Sequence, residues 1–388
     1  MKQCISLLLL AFAGTTALAQ TQGVSKDEIV LGTIQDLSGP LASYGKDQLD
    51  GMKLRISEIN EQGGVHGRKL KLLAEDGAYD PRKSALAAQK LVNQDKVFMM
   101  VGSLGTVTNL AAMPIQLSKN VINFMPTSNS REMHEPVHPL KWAFGPSEYD
   151  VNRLLVPALY REKQASKACA LYQDDESGLE VLRGAEAGLK EIGVELAEKT
   201  SYKRGATDFS SQVARLKRSN CDFVVLGTVI RETVGTLSEM RKLDYHPTTI
   251  GSMSTYTHLL PRLGGKVVEG FYAAVFANHP YLDDASQPIR FWASKYRTAH
   301  GTDPSVVSVF GYAIVDRLVS ALQKTGPQLT TDSFVRTMES FTSPEDIFGI
   351  PAMRYSPQRH LGTNEVKLSQ IRDGRWLPAT RVKPVSGK

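Results

Sequence analysis

Short apolar runs alternate with stretches of helical periodicity, and the alternation occurs twice. The first series holds IVLGTIQ (29–35), LKLLAED (70–76), VFMMV (97–101) and VINFM (121–125). Between these runs, Tyr44 to Gln62, a segment opened by Asp80-Pro81 and running through Leu91, and Thr106 to Leu117 space their apolar residues as helices do. The second series holds ACALYQ (168–173), VELAEKTSY (194–202), CDFVVLG (221–227), TTIGSM (248–253) and Phe271 to Phe276. Its helices are expected at Gly178 to Ile192, Phe209 to Lys217 and Glu232 to Leu243. Strands joined by helices of this length form βαβ units, so each series implies a parallel sheet with helices on its faces.

The chain has 388 residues, too many for one ordinary core. The expected architecture is therefore α/β, with two Rossmann-like parallel-sheet lobes. The tail departs from alternation. Helices are expected at Ile289 to Ala299, Ser305 to Lys324 and Ser333 to Phe341, followed by a hairpin in VKLSQIRDGRWLPA turning at Asp373-Gly374. Helices and then strands suit a chain that crosses between lobes more than once. Crossings are placed near Ser147, Leu282 and Phe348. One lobe then comprises 20–147 plus 283–347, the other 148–282 plus 348–388, and three crossings make a hinge.

The first 19 residues look like a signal peptide. Lys2 is positive, Ile5 to Ala13 is apolar, and Ala17-Leu18-Ala19 precedes Gln20 as an A-x-A cleavage site. That apolar run is too short to span a bilayer, and no later stretch looks long enough. An exported, soluble chain beginning near Gln20 is expected. Cys4 precedes the apolar run, so it does not suit a lipid anchor. Loss of Lys2 takes the formal charge from +6 to +5, with acids interspersed among the bases, so nucleic acid is not an expected partner. Cys169 and Cys221 each open an apolar run. If those runs are neighbouring strands the sulfurs can bridge, as an oxidising compartment permits; two buried thiols are the alternative.

Enzyme motifs are lacking. GSLGT has neither dinucleotide-fingerprint spacing nor a phosphate-loop lysine, and no G-x-S-x-G or H-E-x-x-H occurs. His134 and His138 lie in a Pro-rich loop and read as loop histidines, not metal ligands. Asp174, Asp175 and Glu176 follow a strand and suit the first turn of a helix. No cofactor is implied.

The chemistry gathers at two strand ends. VFMMV empties into Gly102-Ser103-Leu104-Gly105-Thr106, and VINFM into Pro126-Thr127-Ser128-Asn129. In open α/β sheets ligands bind outside the carboxyl ends of strands, where helix N-termini offer N–H groups suited to a carboxylate. IVLGTIQDLSGPLASYG (29–45), INEQGGVHGRKLKLLAEDGAYDP (59–81), VGSLGTVTNLAAMP (101–114) and VVLGTVIRETVGTLSEMRKL (224–243) resemble the leucine/isoleucine/valine-type (type I) periplasmic binding proteins of ABC uptake systems. The resemblance runs over nearly the whole mature chain. It implies two lobes closing on a small molecule in the periplasm, with a membrane permease as partner and no membrane insertion of the chain itself.

Carried over position by position, the resemblance makes Thr106, Thr127 and Asn129 carboxylate contacts, with Ser103 beside them. Tyr44 corresponds to an aromatic lining the pocket. Ser177 stands where the second lobe often has an aromatic, and Val229 to Arg231 where a tyrosine is usual. Arg231 is then a possible partner for an acid. Amino-acid binders of this kind place an acid after the second lobe's fourth strand; here the stretch is GSMSTY, and Met253 holds the position, with Tyr256 nearby. A buried ammonium without a partner is costly, and methionine suits aromatic rings. The expected ligand is thus a small aromatic or hydrophobic carboxylate without an α-ammonium. In the alternative, an amino-acid receptor, Glu148, Asp150 or the 174–176 cluster serves the ammonium. A sensory module and an exported amidase or hydrolase are alternatives of other classes.

Overall fold

A computed structural model describes residues 21–382; the expected signal peptide lies outside the described residues. The first series folds as β1 (Glu28–Gln35), α1 (Ala42–Glu61), β2 (Lys69–Asp76), α2 (Pro81–Gln89), β3 (Met99–Val101), α3 (Thr106–Ser118), β4 (Ile122–Phe124) and β5 (Lys141–Trp142). These strands make one parallel sheet in the order β2-β1-β3-β4-β5. Local chemistry sets helix starts: Pro81 sits where its missing N–H costs nothing, and the Asp80 carboxylate accepts from the Lys83 N–H.

The second series gives α4 (Glu148–Glu162), β6 (Ala168–Gln173), α5 (Glu176–Glu191), β7 (Glu198–Tyr202), α6 (Ser210–Arg218), β8 (Phe223–Gly227), α7 (Ile230–Lys242), β9 (Thr248–Gly251), α8 (Leu259–Gly264) and β10 (Tyr272–Val275). Three helices follow, α9 (Gln287–His300), α10 (Val306–Thr325) and α11 (Thr331–Met338). The short β11 (Thr342–Ser343) and β12 (Met353–Arg354) pair with each other. The closing hairpin β13 (Val366–Arg372) and β14 (Arg375–Val382) turns at Asp373-Gly374, both with positive φ, as a tight hairpin requires. This sheet runs β14-β13-β10-β9-β8-β6-β7.

The chain passes from the first sheet to the second between β5 and α4, returns between β10 and α9, and passes again between β12 and β13. The third passage is later than the sequence suggests. Beyond Phe348 the chain stays with the first lobe: Leu361 bridges Ala143 in parallel, and the Tyr355 hydroxyl donates to the Ala143 carbonyl at 2.8 Å. Two-residue strands carry no readable periodicity, which is why 349–362 looked like the start of the other lobe. Two strands also end earlier or start later than expected. β7 begins only at Glu198, and β9 stops at Gly251, with Met253–Thr255 forming a 3-10 turn.

Contrary to the count of apolar stretches, α10 is long and apolar enough to cross a membrane by composition, but 72% of its most apolar window is buried within the protein. Its apolarity serves contact with α1. A Cβ at Gly51 would lie 2.0 Å from the Ser308 carbonyl oxygen and one at Gly311 2.1 Å from that of Gln48, so glycine permits this close helix crossing. The core runs continuously through both lobes, from Ile29 and Phe98 to Phe223 and Phe271.

Candidate functional site

Loops at the carboxyl ends of both sheets face one another across a cleft of about 920 Å³, its open mouth included. On the first lobe the Asp36 carboxylate accepts from the backbone N–H groups of Gly39 (2.5 Å) and Leu41 (2.7 Å). The loop so held presents Leu41 and Tyr44 to the cleft.

The two strand-end loops are zipped together. Leu104 bridges Thr127 in parallel; the Gly105 N–H donates to the Thr127 carbonyl (2.9 Å) and the Thr127 N–H to the Ser103 carbonyl (3.0 Å). Asn109 Nδ2 donates to the Ser103 (2.9 Å) and Gly105 (2.8 Å) carbonyls. Gly105 has φ of +96°, and a Cβ there would stand 2.6 Å from the Tyr79 ring, so glycine alone fits this turn. Immediately after it α3 begins, with no side-chain cap. The first N–H groups of a helix have no intrahelical acceptor, so an uncapped N-terminus faces the cleft at Thr106. Thr106 Oγ1 lies 3.2 Å from Ser128 Oγ. Thr127 Oγ1 is buried with no hydrogen-bond partner among the described residues.

The rest of the lining is largely apolar. Phe276 and Phe310 stack with ring centroids 4.9 Å apart and planes 10° apart, and Phe144 meets both edge-on at 5.4 and 5.8 Å. Met253, Tyr256 and Val275 from the second lobe and Val306 and Val307 from α10 continue this surface. Among the described residues, no lysine, arginine or histidine lines the cleft. An anion here is met by neutral donors and a helix N-terminus.

Glu148, the first residue of α4, is the ionisable carboxyl of the cleft. Its Oε1 accepts from the Met253 N–H at 2.9 Å and its Oε2 from Asn152 Nδ2 at 3.1 Å, while its own N–H donates to the Asn129 carbonyl at 2.6 Å. Burial outweighs these bonds and pushes its pKa up to about 7. Since the folded value lies above the ordinary 4.5, the stability it contributes is complete below about pH 4.5 and is lost as the pH rises through about 7. Glu148→Gln is therefore expected to flatten the pH dependence. In urea unfolding at pH 5 and pH 8, the wild-type midpoint should fall more between the two conditions than the variant's. Parallel pH profiles would exclude this role for Glu148.

Contacts across the cleft tie the lobes. The Tyr44 hydroxyl donates to the Ser254 carbonyl. Arg131 of the first lobe pairs with buried Glu180 of α5 at 3.0 Å and covers the Tyr149 ring at 3.9 Å. Arg204 of the second lobe donates to the Tyr79 carbonyl at 3.1 Å and pairs with Asp175 at 2.9 Å.

Of the residues singled out from sequence, the structure brings Tyr44, Thr106, Thr127, Asn129, Glu148, Ser177, Met253 and Tyr256 to one cleft. Two lie elsewhere. Ser103 is fully buried beneath the loop, its hydroxyl accepting from the Ile34 N–H at 3.2 Å, because the turn after β3 points it toward β1. Arg231, on the first turn of α7, lines an adjacent groove and not the cleft. Two of the acids at 174–176 are committed locally: Asp175 caps α5, and Glu176 pairs with Arg183. His134 is buried, which holds its pKa down to about 4, and no group of potential metal ligands occurs among the described residues. Cys169 and Cys221 are joined as a disulfide between the neighbouring strand starts of β6 and β8. Sequence reasoning missed Tyr79, Phe144, Phe276 and Phe310. Three sit in apolar runs (WAF, YAAVF, VVSVF) that look like ordinary core.

The chain matches the periplasmic binding protein family over residues 28–375. It is 26% identical over 278 residues to the Leu/Ile/Val/Thr-binding protein of Salmonella typhimurium, covering 70% of this chain and 76% of that protein. A fatty acid ABC transporter substrate-binding protein from Thermomonospora curvata superposes with a TM-score of 0.83 at 22% identity, covering 94% of this chain and 95% of the other. A solute binding protein of an ABC transporter from Rhodopseudomonas palustris BisB5, solved with 3,4-dihydroxy benzoic acid, superposes with a TM-score of 0.80 at 20% identity over 92% and 98%. A family match spanning both lobes and the crossings between them, together with a cleft at their facing strand ends, establishes that this chain belongs to the periplasmic binding proteins, the substrate-binding receptors of ABC transporters.

Proposed function

We propose that the protein captures a small organic monocarboxylate with an aromatic or otherwise hydrophobic body and no α-ammonium, and delivers it to the permease of an ABC importer. The observation that carries this is the polarity of the cleft. Its lining combines Thr106, Thr127 and the uncapped α3 N-terminus with the apolar side chains of Phe144, Phe276, Phe310 and Met253. Met253 occupies the place where an ammonium partner was expected, and its N–H takes one oxygen of Glu148. The carboxylate docks on the hydroxyls and the helix end, and the hydrophobic body excludes water from the apolar lining. Closure then gains contacts that the open form lacks, which shifts the population toward closed. Similarity in fold to a receptor solved with 3,4-dihydroxy benzoic acid supports an aromatic acid as a ligand this fold accepts.

An amino acid is the second reading, and Glu148 favours it: the carboxyl reaches the cleft from the first crossing. Calorimetry with benzoate and leucine at pH 6 and pH 8 separates the two. An ionised Glu148 repels a carboxylate and attracts an ammonium. Benzoate should bind at least tenfold tighter than leucine, a difference of about 1.4 kcal/mol, and should weaken as the pH rises past the Glu148 pKa of about 7. Tighter leucine binding that strengthens at pH 8 would establish the amino-acid receptor instead.

A further inference from the structure

The cleft has a neighbour. Leu41, in front of α1 on the first lobe, and Val229, in front of α7 on the second, line the cleft on one side and a second groove on the other. Beyond this pair the groove runs between the lobes along Ala42, Ala206, Ile230 and Leu263, with Arg231 and Glu232 among its polar lining residues. Leu263 is 59% exposed, an apolar side chain that the fold itself does not cover. Leu41 and Val229 are themselves only partly buried. Two aliphatic side chains on opposing lobes thus border both spaces.

We propose that this groove is a tail subsite, and that the protein takes carboxylates whose apolar body continues past Leu41 and Val229, such as ω-arylalkanoates. The inference rests on the carboxylate reading above and extends it. With the carboxylate at Thr106 and Thr127, the hydrophobic body fills the cleft and its far end passes between the two aliphatic side chains as the lobes close around it. Each methylene that enters the groove leaves water for the apolar surface formed by Ala42, Ala206, Ile230 and Leu263. The subsite selects by length and apolarity, since nothing in its apolar floor demands a particular functional group.

The test is calorimetry on the full chain with phenylacetate, 4-phenylbutyrate, 6-phenylhexanoate and 8-phenyloctanoate, using wild type and Leu263→Glu. Leu263 lies outside the cleft and is exposed, so the variant retains its fold and its phenylacetate affinity within about twofold. Wild-type affinity should rise about three- to fourfold per methylene once the chain passes Leu41 and Val229, from the usual transfer free energy of a buried methylene. The variant should lose that rise, because a carboxylate then stands beside the tail. Phenylacetate binding with no gain on lengthening, or an equal gain in both proteins, overturns the tail subsite and leaves the carboxylate reading standing. Binding of none of the acids overturns both.

Discussion

Replacing Thr106 and Thr127 together by valine should weaken binding of the carboxylate ligand by about 100- to 1000-fold while leaving the circular dichroism spectrum unchanged. Valine keeps the shape and removes the hydroxyl, so the change isolates hydrogen bonding. A hydrogen bond to a charged group contributes about 1.5–3 kcal/mol, and two such losses at one anion amount to roughly 3–4 kcal/mol because they are not fully additive. Thr127 is the more informative of the two. Its hydroxyl has no partner among the described residues, so Thr127→Val alone costs the fold little and the ligand much. Thr106 also faces Ser128, and its removal carries a small cost in loop order. Titration calorimetry on the double variant gives the answer. Affinity within threefold of wild type would mean that the anion docks elsewhere and that the two strand ends are only capping structure.

The second large effect concerns the second lobe. Cys169 and Cys221 are 52 residues apart in sequence, and their bond closes a loop containing α5, β7 and α6. Loop-closure entropy for a ring of that size amounts to about 4 kcal/mol at room temperature. A Cys169→Ala/Cys221→Ala protein should therefore unfold at lower urea, with its second lobe about 2–4 kcal/mol less stable. The wild type treated with a reducing agent should shift toward the same midpoint. The first lobe contains no part of this ring and should keep its stability, so a probe within it such as Trp142 separates the two transitions. Coincident midpoints for the variant and the oxidised wild type would show that β6 and β8 hold their alignment without the crosslink.

Much of the plan was legible in sequence, for a stated reason. Buried parallel strands are short continuous apolar runs, and the helices between them repeat at 3.6 residues. Both signals are strong where elements are long, as in IVLGTIQ and Ser305 to Lys324. They fade in two-residue strands, which is why the third crossing fell near Phe348 and not in the residues before Val366. The candidate cleft was legible to the extent that small hydroxyl residues at strand ends line it, an unusual place for them. Its aromatic wall was not, because Phe144, Phe276 and Phe310 are spelled like any core phenylalanine. Arg231 shows the converse: its neighbourhood in sequence suggested the cleft, but the first turn of α7 carries it to the adjacent groove.

By itself, the sequence determined the alternation of elements, the two sheets and the polar mouths of β3 and β4, since each follows from residues close together in the chain. Tertiary structure alone decided which core side chains line the cleft, that Glu148 accepts from the Met253 N–H, and that Leu41 and Val229 border both cleft and groove. Those pairings join residues roughly a hundred or more positions apart on opposing lobes or crossings. Their proximity is set by how two sheets face each other, and no local pattern of residues encodes that.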